Sequence, residues 1–121
     1  APSYMESGLL RYQGLLEMTE GDLEAAAQSL KQSVSAAQRL GGAVPLFEAK
    51  SALARLEVRR NGLAVGLACF EAALAGIDVL LHQNLIGRTF HEWAECVRVL
   101  APLEADSYHV WAVALTTGVR D

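Results

Sequence analysis

In the stretch HEWAEC, His91 and Glu95 are one helical turn apart, so their side chains would stand one above the other on a helix, with Cys96 beside them. Such a turn offers two ligands to a transition metal, whereas a structural zinc site takes four. The sequence supplies no third or fourth ligand nearby, so the expectation is a solvated pair, with no metal and no cofactor. His82 and His109 stand alone near the ends of helical segments and read as surface or capping groups rather than bases. Glu17 and Glu57 recur at equivalent places, and each is expected either to pair with a nearby arginine or to reach solvent. None of the phosphate-cradling, dinucleotide-binding, nucleophile-elbow or zinc-protease patterns occurs, and no paired carboxylates accompany a nucleophile. The chain is therefore not expected to be an enzyme.

The totals agree with a binding domain. A chain of 121 residues, 52% hydrophobic and 20% charged, has enough apolar surface to bury a core without disulfides or a metal. Cys69 and Cys96 form no C-x-x-C pair and occupy helical patterns where any small apolar residue would serve, so buried free thiols are expected. A formal net charge of -4 argues against nucleic acid as a partner of this segment, since that footprint needs clustered Lys and Arg. No apolar run approaches the roughly 18 residues that span a bilayer, and APSYMESGLL lacks a signal-peptide core, so neither membrane nor secretion is indicated and a cytoplasmic location is the expectation. A start at Ala1 without methionine, and an end just after an apolar stretch, suggest a piece of a longer protein.

The elements that would carry these side chains are helices. Leu63, Leu67, Phe70, Leu74, Ile77 and Leu81 recur at steps of four and three, the mark of one buried stripe on a helix. Leu23, Ala27, Leu30, Val34 and Ala37 repeat the pattern earlier, and Ile86, Phe90, Trp93, Val97 and Leu100 repeat it later. Met5, Leu9, Tyr12 and Leu16, and then Leu46, Ala49, Leu53 and Leu56, supply two further stripes. Breaks fall at Gly21-Asp22, Gly41-Gly42 and Asn61-Gly62, while Pro45 and Pro102 sit just inside the next helix, where a missing N–H costs nothing. The reading is all-α, with six helices and no strand.

Sliding the chain by 40 residues brings Leu16 onto Leu56, Glu17 onto Glu57, Leu23 onto Leu63, Leu30 onto Phe70 and Val34 onto Leu74. A single domain of three two-helix units, over about 3–42, 43–82 and 83–121, is the economical division. Within GLLEMTEGDLEAAA, the small Gly14, the turn pair Gly21 and Asp22, and the small Ala26 resemble a tetratricopeptide repeat. The second unit answers with Ala54, Asn61, Gly62 and Gly66, then Phe70 and Ala73, and the third with Trp93, Ala94 and Leu103, Pro102 standing in for the turn pair. The longer second helices are similar to repeat segments of large bacterial transcriptional regulators of the LuxR type. Glu17 and Glu57 depart from the family, which usually has an aromatic there.

The resemblance implies a right-handed superhelical stack whose concave surface is lined by the first helix of each unit. It assigns Arg11, Tyr12, Leu15, Arg55, Val58, Arg59, Arg88, His91 and Arg98 to that surface. Five of the ten basic residues are among them, so a locally basic groove for a protein or an acidic peptide is expected, although the asparagine pattern of carboxylate-clamping repeats is absent. The plainer alternative is that these arginines are ordinary solvated residues in weak surface pairs. The last helix carries Val110, Trp111, Val113, Ala114 and Leu115, an apolar surface wider than one neighbour covers, so Val110, Trp111 and Leu115 are candidates for domain packing or a homodimer. The leading function is a protein-interaction or scaffolding module. The alternatives are a signal-sensing segment of a multidomain transcriptional regulator, responding to a protein or small-molecule effector, and a structural spacer without a specific ligand.

Overall fold

The computed structural model describes residues 4–116, so the outer ends of the first and third expected units, and the close of the C-terminal apolar stretch, lie outside the described residues. Those described form six helices and no strand: α1 (Tyr4–Thr19), α2 (Leu23–Leu40), α3 (Ala43–Asn61), α4 (Leu63–Ala75), α5 (Gln83–Val97) and α6 (Pro102–Thr116). They pair in sequence, α1 with α2, α3 with α4 and α5 with α6. The chain divides into two compact units, Ala1–Ile77 with α1 to α4 and Asp78–Asp121 with α5 and α6. Among the described residues, no helix is long and apolar enough to cross a membrane.

The expected turn residues end and start the helices. Gly21 and Gly41 have φ of 87° and 83°, left-handed values that a Cβ would penalise. Asp22 caps α2 by accepting a hydrogen bond from the Ala25 N–H at 3.1 Å, and the Gly41 N–H closes the other end on the Ala37 carbonyl at 3.0 Å. Pro102 is the first residue of α6 and Pro45 the third of α3, both within the turn whose N–H groups have no partner inside the helix.

In the first unit, Ala26, Ala27 and Leu30 of α2 meet Ala52 and Leu56 of α3, with Leu15, Met18, Leu23 and Leu53 around them. Small residues set the crossings. A Cβ on Gly14 would lie 2.6 Å from Leu30, and one on Gly66 would press on Val58 and stand 3.1 Å from the Ala54 carbonyl. These contacts place Gly14 against α2, and Gly66 against Ala54 and Val58 of α3. Ser7 and Ser33 lock α1 to α2 inside this core: the Ser33 hydroxyl donates to the Ser7 carbonyl at 2.7 Å and the Ser7 hydroxyl to the Ser33 carbonyl at 3.0 Å.

In the second unit, Ile86, Phe90, Trp93 and Val97 are buried, as their stripe predicts, and Tyr108 stacks on Phe90 at 5.8 Å and meets Trp93 edge-on at 6.3 Å. Gly87 is the close-approach residue, facing Ala112, Leu115 and Thr116 of α6.

Three stripes differ from expectation. The fourth helix stops at Ala75, because Gly76 follows and the Asp78 carboxylate then holds a turn by accepting from the Leu81 N–H; Leu81 is left exposed instead of completing the stripe. Leu100 falls beyond the end of α5 and is exposed. Met5, Leu9, Tyr12 and Leu16, read as a buried stripe, are 59–71% exposed, since α1 turns its opposite face, with Ser7 and Gly14, towards α2.

Candidate partner-binding surface

The residues assigned to the groove divide between the two units. In the first, α1 and α3 lie side by side, and Arg11 reaches Glu48 across them at 3.8 Å while its guanidinium sits 4.9 Å from the Tyr12 ring centroid. Ser7, Gly8, Arg11, Pro45 and Glu48 line a cleft of about 140 Å³. That is smaller than the roughly 300 Å³ at which small-molecule sites begin, and Arg11 and Glu48 cancel in charge.

Several of the nine groove candidates have structural work. Val58 is 6% exposed beneath Gly66, so it belongs to the α3–α4 crossing and not to an accessible surface. Leu15 is half-buried against the α2–α3 core. Arg55 is half-buried as well. Arg59 donates from Nη1 to the Met18 carbonyl at 2.7 Å, tying α3 to the end of α1. Tyr12 alone among the six in this unit is an exposed, uncharged anchor, and it continues the stripe of Met5, Leu9 and Leu16.

The two recurring glutamates are both part-buried and paired. Glu17 accepts from the Ser29 hydroxyl, and Glu57 binds Arg60 at 3.3 Å and accepts from the Asn61 side-chain amide. Arg60 also reaches Glu24 at 3.3 Å, so one guanidinium links α2 with α3. Burial, and secondarily the charge of Glu57, push the Cys69 thiol above its ordinary pKa, which holds it in the neutral form.

In the second unit, Arg88 is exposed and Arg98 pairs with Glu95 at 3.2 Å. His91 finds an unexpected neighbour: its Nδ1 lies 2.9 Å from Nδ1 of His109, whose Nε2 lies 3.1 Å from the Glu95 carboxylate. His109 is therefore not a lone surface group but the middle of a His91–His109–Glu95 chain joining α5 to α6. His82 is the N-cap residue of α5, its carbonyl accepting from the Ile86 N–H at 3.0 Å, while its side chain makes no capping hydrogen bond. Glu95 and His91 meet opposite nitrogens of the His109 ring. No group of three His, Cys, Asp or Glu side chains among the described residues is placed to hold a metal.

On α6, Val110 and Trp111 are 67% and 62% exposed, with the Trp111 ring 6.1 Å from that of Phe90. Leu115 is half-buried beside Gly87 and serves the α5–α6 contact instead of an outer surface. Leu103, exposed like Val110, extends the outward apolar face.

The α1 stripe was the feature hardest to place from sequence, yet a signal was present. Gly14 follows Tyr12 by two residues, about 200° round the helix, so the small crossing residue and the large stripe cannot both face one neighbour. No protein-family model, curated protein or solved structure matches this chain.

Proposed function

We propose that this chain is a protein-interaction module of tetratricopeptide-like build, which engages its partners through apolar helix faces. The observation that carries this reading is that each unit leaves large apolar side chains outward on one helix: Met5, Leu9, Tyr12 and Leu16 on α1, and Leu103, Val110 and Trp111 on α6. Contiguous outward apolar patches of this kind are interaction surfaces more often than they are idle. Aromatic anchors such as Tyr12 and Trp111 bring large area at little entropic cost.

The arginines are secondary in this reading. Arg11 and Arg98 spend their charge on Glu48 and Glu95, while Arg59 and Arg88 are exposed. Acidic side chains on a partner suit the rim of each unit, with the apolar residues as anchors.

A photo-reactive benzophenone side chain placed at Tyr12 or Val110, with Gln32 on the polar outer face of α2 as control, tests the proposal in the host cell. Discrete cross-linked products at the first two sites, and none at Gln32, are expected. Equal labelling at all three sites, or none at any, overturns it.

A further inference from the structure

We propose that the exposed stripe on α1 is the seam of a two-fold homodimer, in which α1 of one copy packs antiparallel on α1 of another. The proposal rests on the interaction reading above and adds the occupant of one face.

The side chains concerned are Met5, Leu9, Tyr12 and Leu16, 71%, 62%, 65% and 59% exposed. Their steps of four, three and four form the seam that packs against another helix by knobs into holes. The internal repeat shows what such a position accepts. A shift of 40 residues carries the stripe onto Pro45, Ala49, Ala52 and Leu56 of α3. There Ala52 and Leu56 are buried against Ala26, Ala27 and Leu30 of α2. The same helix position is thus covered by a helix in one repeat and open in the other.

Spacing and charge favour a second copy as the cover. Four-three-four reads the same from either end, so a two-fold axis at mid-helix sets Leu9 of one copy opposite Tyr12 of the other, and Met5 opposite Leu16. Along the more acidic flank, the same axis brings Glu6 towards Gln13 of the other copy instead of towards a like charge, and Arg39 already holds Glu6 at 3.0 Å. Area is of the right order: the four residues expose roughly 500 Å² per copy, so a seam that covers them and their flanks approaches about 1,000 Å² in all, the size at which specific interfaces begin.

Sedimentation velocity on the full chain across a wide concentration range provides the test. Dimer mass is expected at the upper end, with Leu9→Glu and Tyr12→Glu each reduced to monomer while keeping the wild-type helical signal and, at dilutions where the wild type is itself monomeric, its melting temperature. Orientation is read with Cys69→Ser and Cys96→Ser in place. Met5→Cys mixed with Leu16→Cys should cross-link through a short bismaleimide, and Met5→Cys alone should not. A monomer at every concentration, a dimer that survives both glutamate variants, or cross-linking of Met5→Cys to itself overturns the proposal. Should the chain be monomeric while benzophenone at Tyr12 captures a different protein, the homodimer falls and the interaction reading stands.

Discussion

Replacing Gly8 and Gly66 by alanine should move stability in opposite directions, although both glycines lie inside helices. On an open helix surface the change gains about 0.5–1 kcal/mol, because glycine loses more backbone freedom on folding and is the poorer helix former. Gly8 is such a place, with nothing within 4 Å of an added Cβ. At Gly66 the Cβ would press on a Val58 methyl and stand 3.0 Å from the Val58 nitrogen and 3.1 Å from the Ala54 oxygen. The methyl can rotate away, but the two backbone atoms cannot, so α4 must lift off α3. Overpacking costs about 1–3 kcal/mol, and against two immovable backbone atoms it takes the upper part of that range, about 2–3 kcal/mol, so after a propensity gain of up to about 1 kcal/mol the net loss is about 1–2 kcal/mol. At about 4 °C per kcal/mol for a chain of this size, Gly66→Ala should melt about 4–8 °C below wild type and Gly8→Ala about 2–4 °C above it. Calorimetry and urea unfolding followed by circular dichroism would measure both. A Gly66→Ala protein that melts at or above the wild-type temperature would refute the close crossing of α3 and α4, and with it the role given to small residues in pairing these helices.

Other expectations concern buried polar groups. Ser7→Ala and Ser33→Ala should each cost about 1 kcal/mol, and the double variant about their sum, because each hydroxyl donates to the other residue's main-chain carbonyl, which alanine retains; a single variant with the wild-type urea midpoint would contradict the hydrogen bond drawn for it. Alkylation of Cys69 should rise at higher pH than that of an ordinary free thiol, since the thiolate reacts and burial beside Glu57 disfavours it. Glu57→Gln should move that profile part of the way back towards lower pH, and an unmoved profile would remove Glu57 as a cause.

How much was legible in the sequence follows from what each pattern encodes. The caps and turns were, because Gly21, Gly41 and Asp22 act through local backbone geometry that needs no tertiary partner. The stripes of α2 and α5 were, since one face is apolar and the other polar, and only one can be buried. On α1 periodicity found the helix but misassigned its inner face. Large apolar residues on one side and small ones on the other look alike to a hydrophobic count, and burial went to the side where Gly14 permits close approach. The histidine pair was illegible for a different reason. His91 and His109 lie on separate helices, and no local rule states that the α5–α6 crossing brings their rings within hydrogen-bonding distance.

The same distinction bears on how the arginines should be tested. Exchanging Arg59 for glutamate looks like a direct probe of a basic surface, yet Arg59 donates to the Met18 carbonyl at 2.7 Å, and that carbonyl already accepts from the Gly21 N–H at 3.1 Å. Met18 lies in the last turn of α1, where unpaired carbonyls give the helix its negative end. A carboxylate there loses a charge-assisted hydrogen bond and adds repulsion from the dipole. For an exposed site the two together are worth about 1 kcal/mol. Arg59→Glu should therefore lower the urea midpoint of the first unit even when no partner is present, and Arg59→Gln should lower it less. Arg88→Glu, on an exposed position of α5, should leave the midpoint near wild type. If Arg59→Glu unfolds with the wild type, the bond to Met18 contributes nothing, and Arg59 returns to the set of residues free to meet an acidic partner.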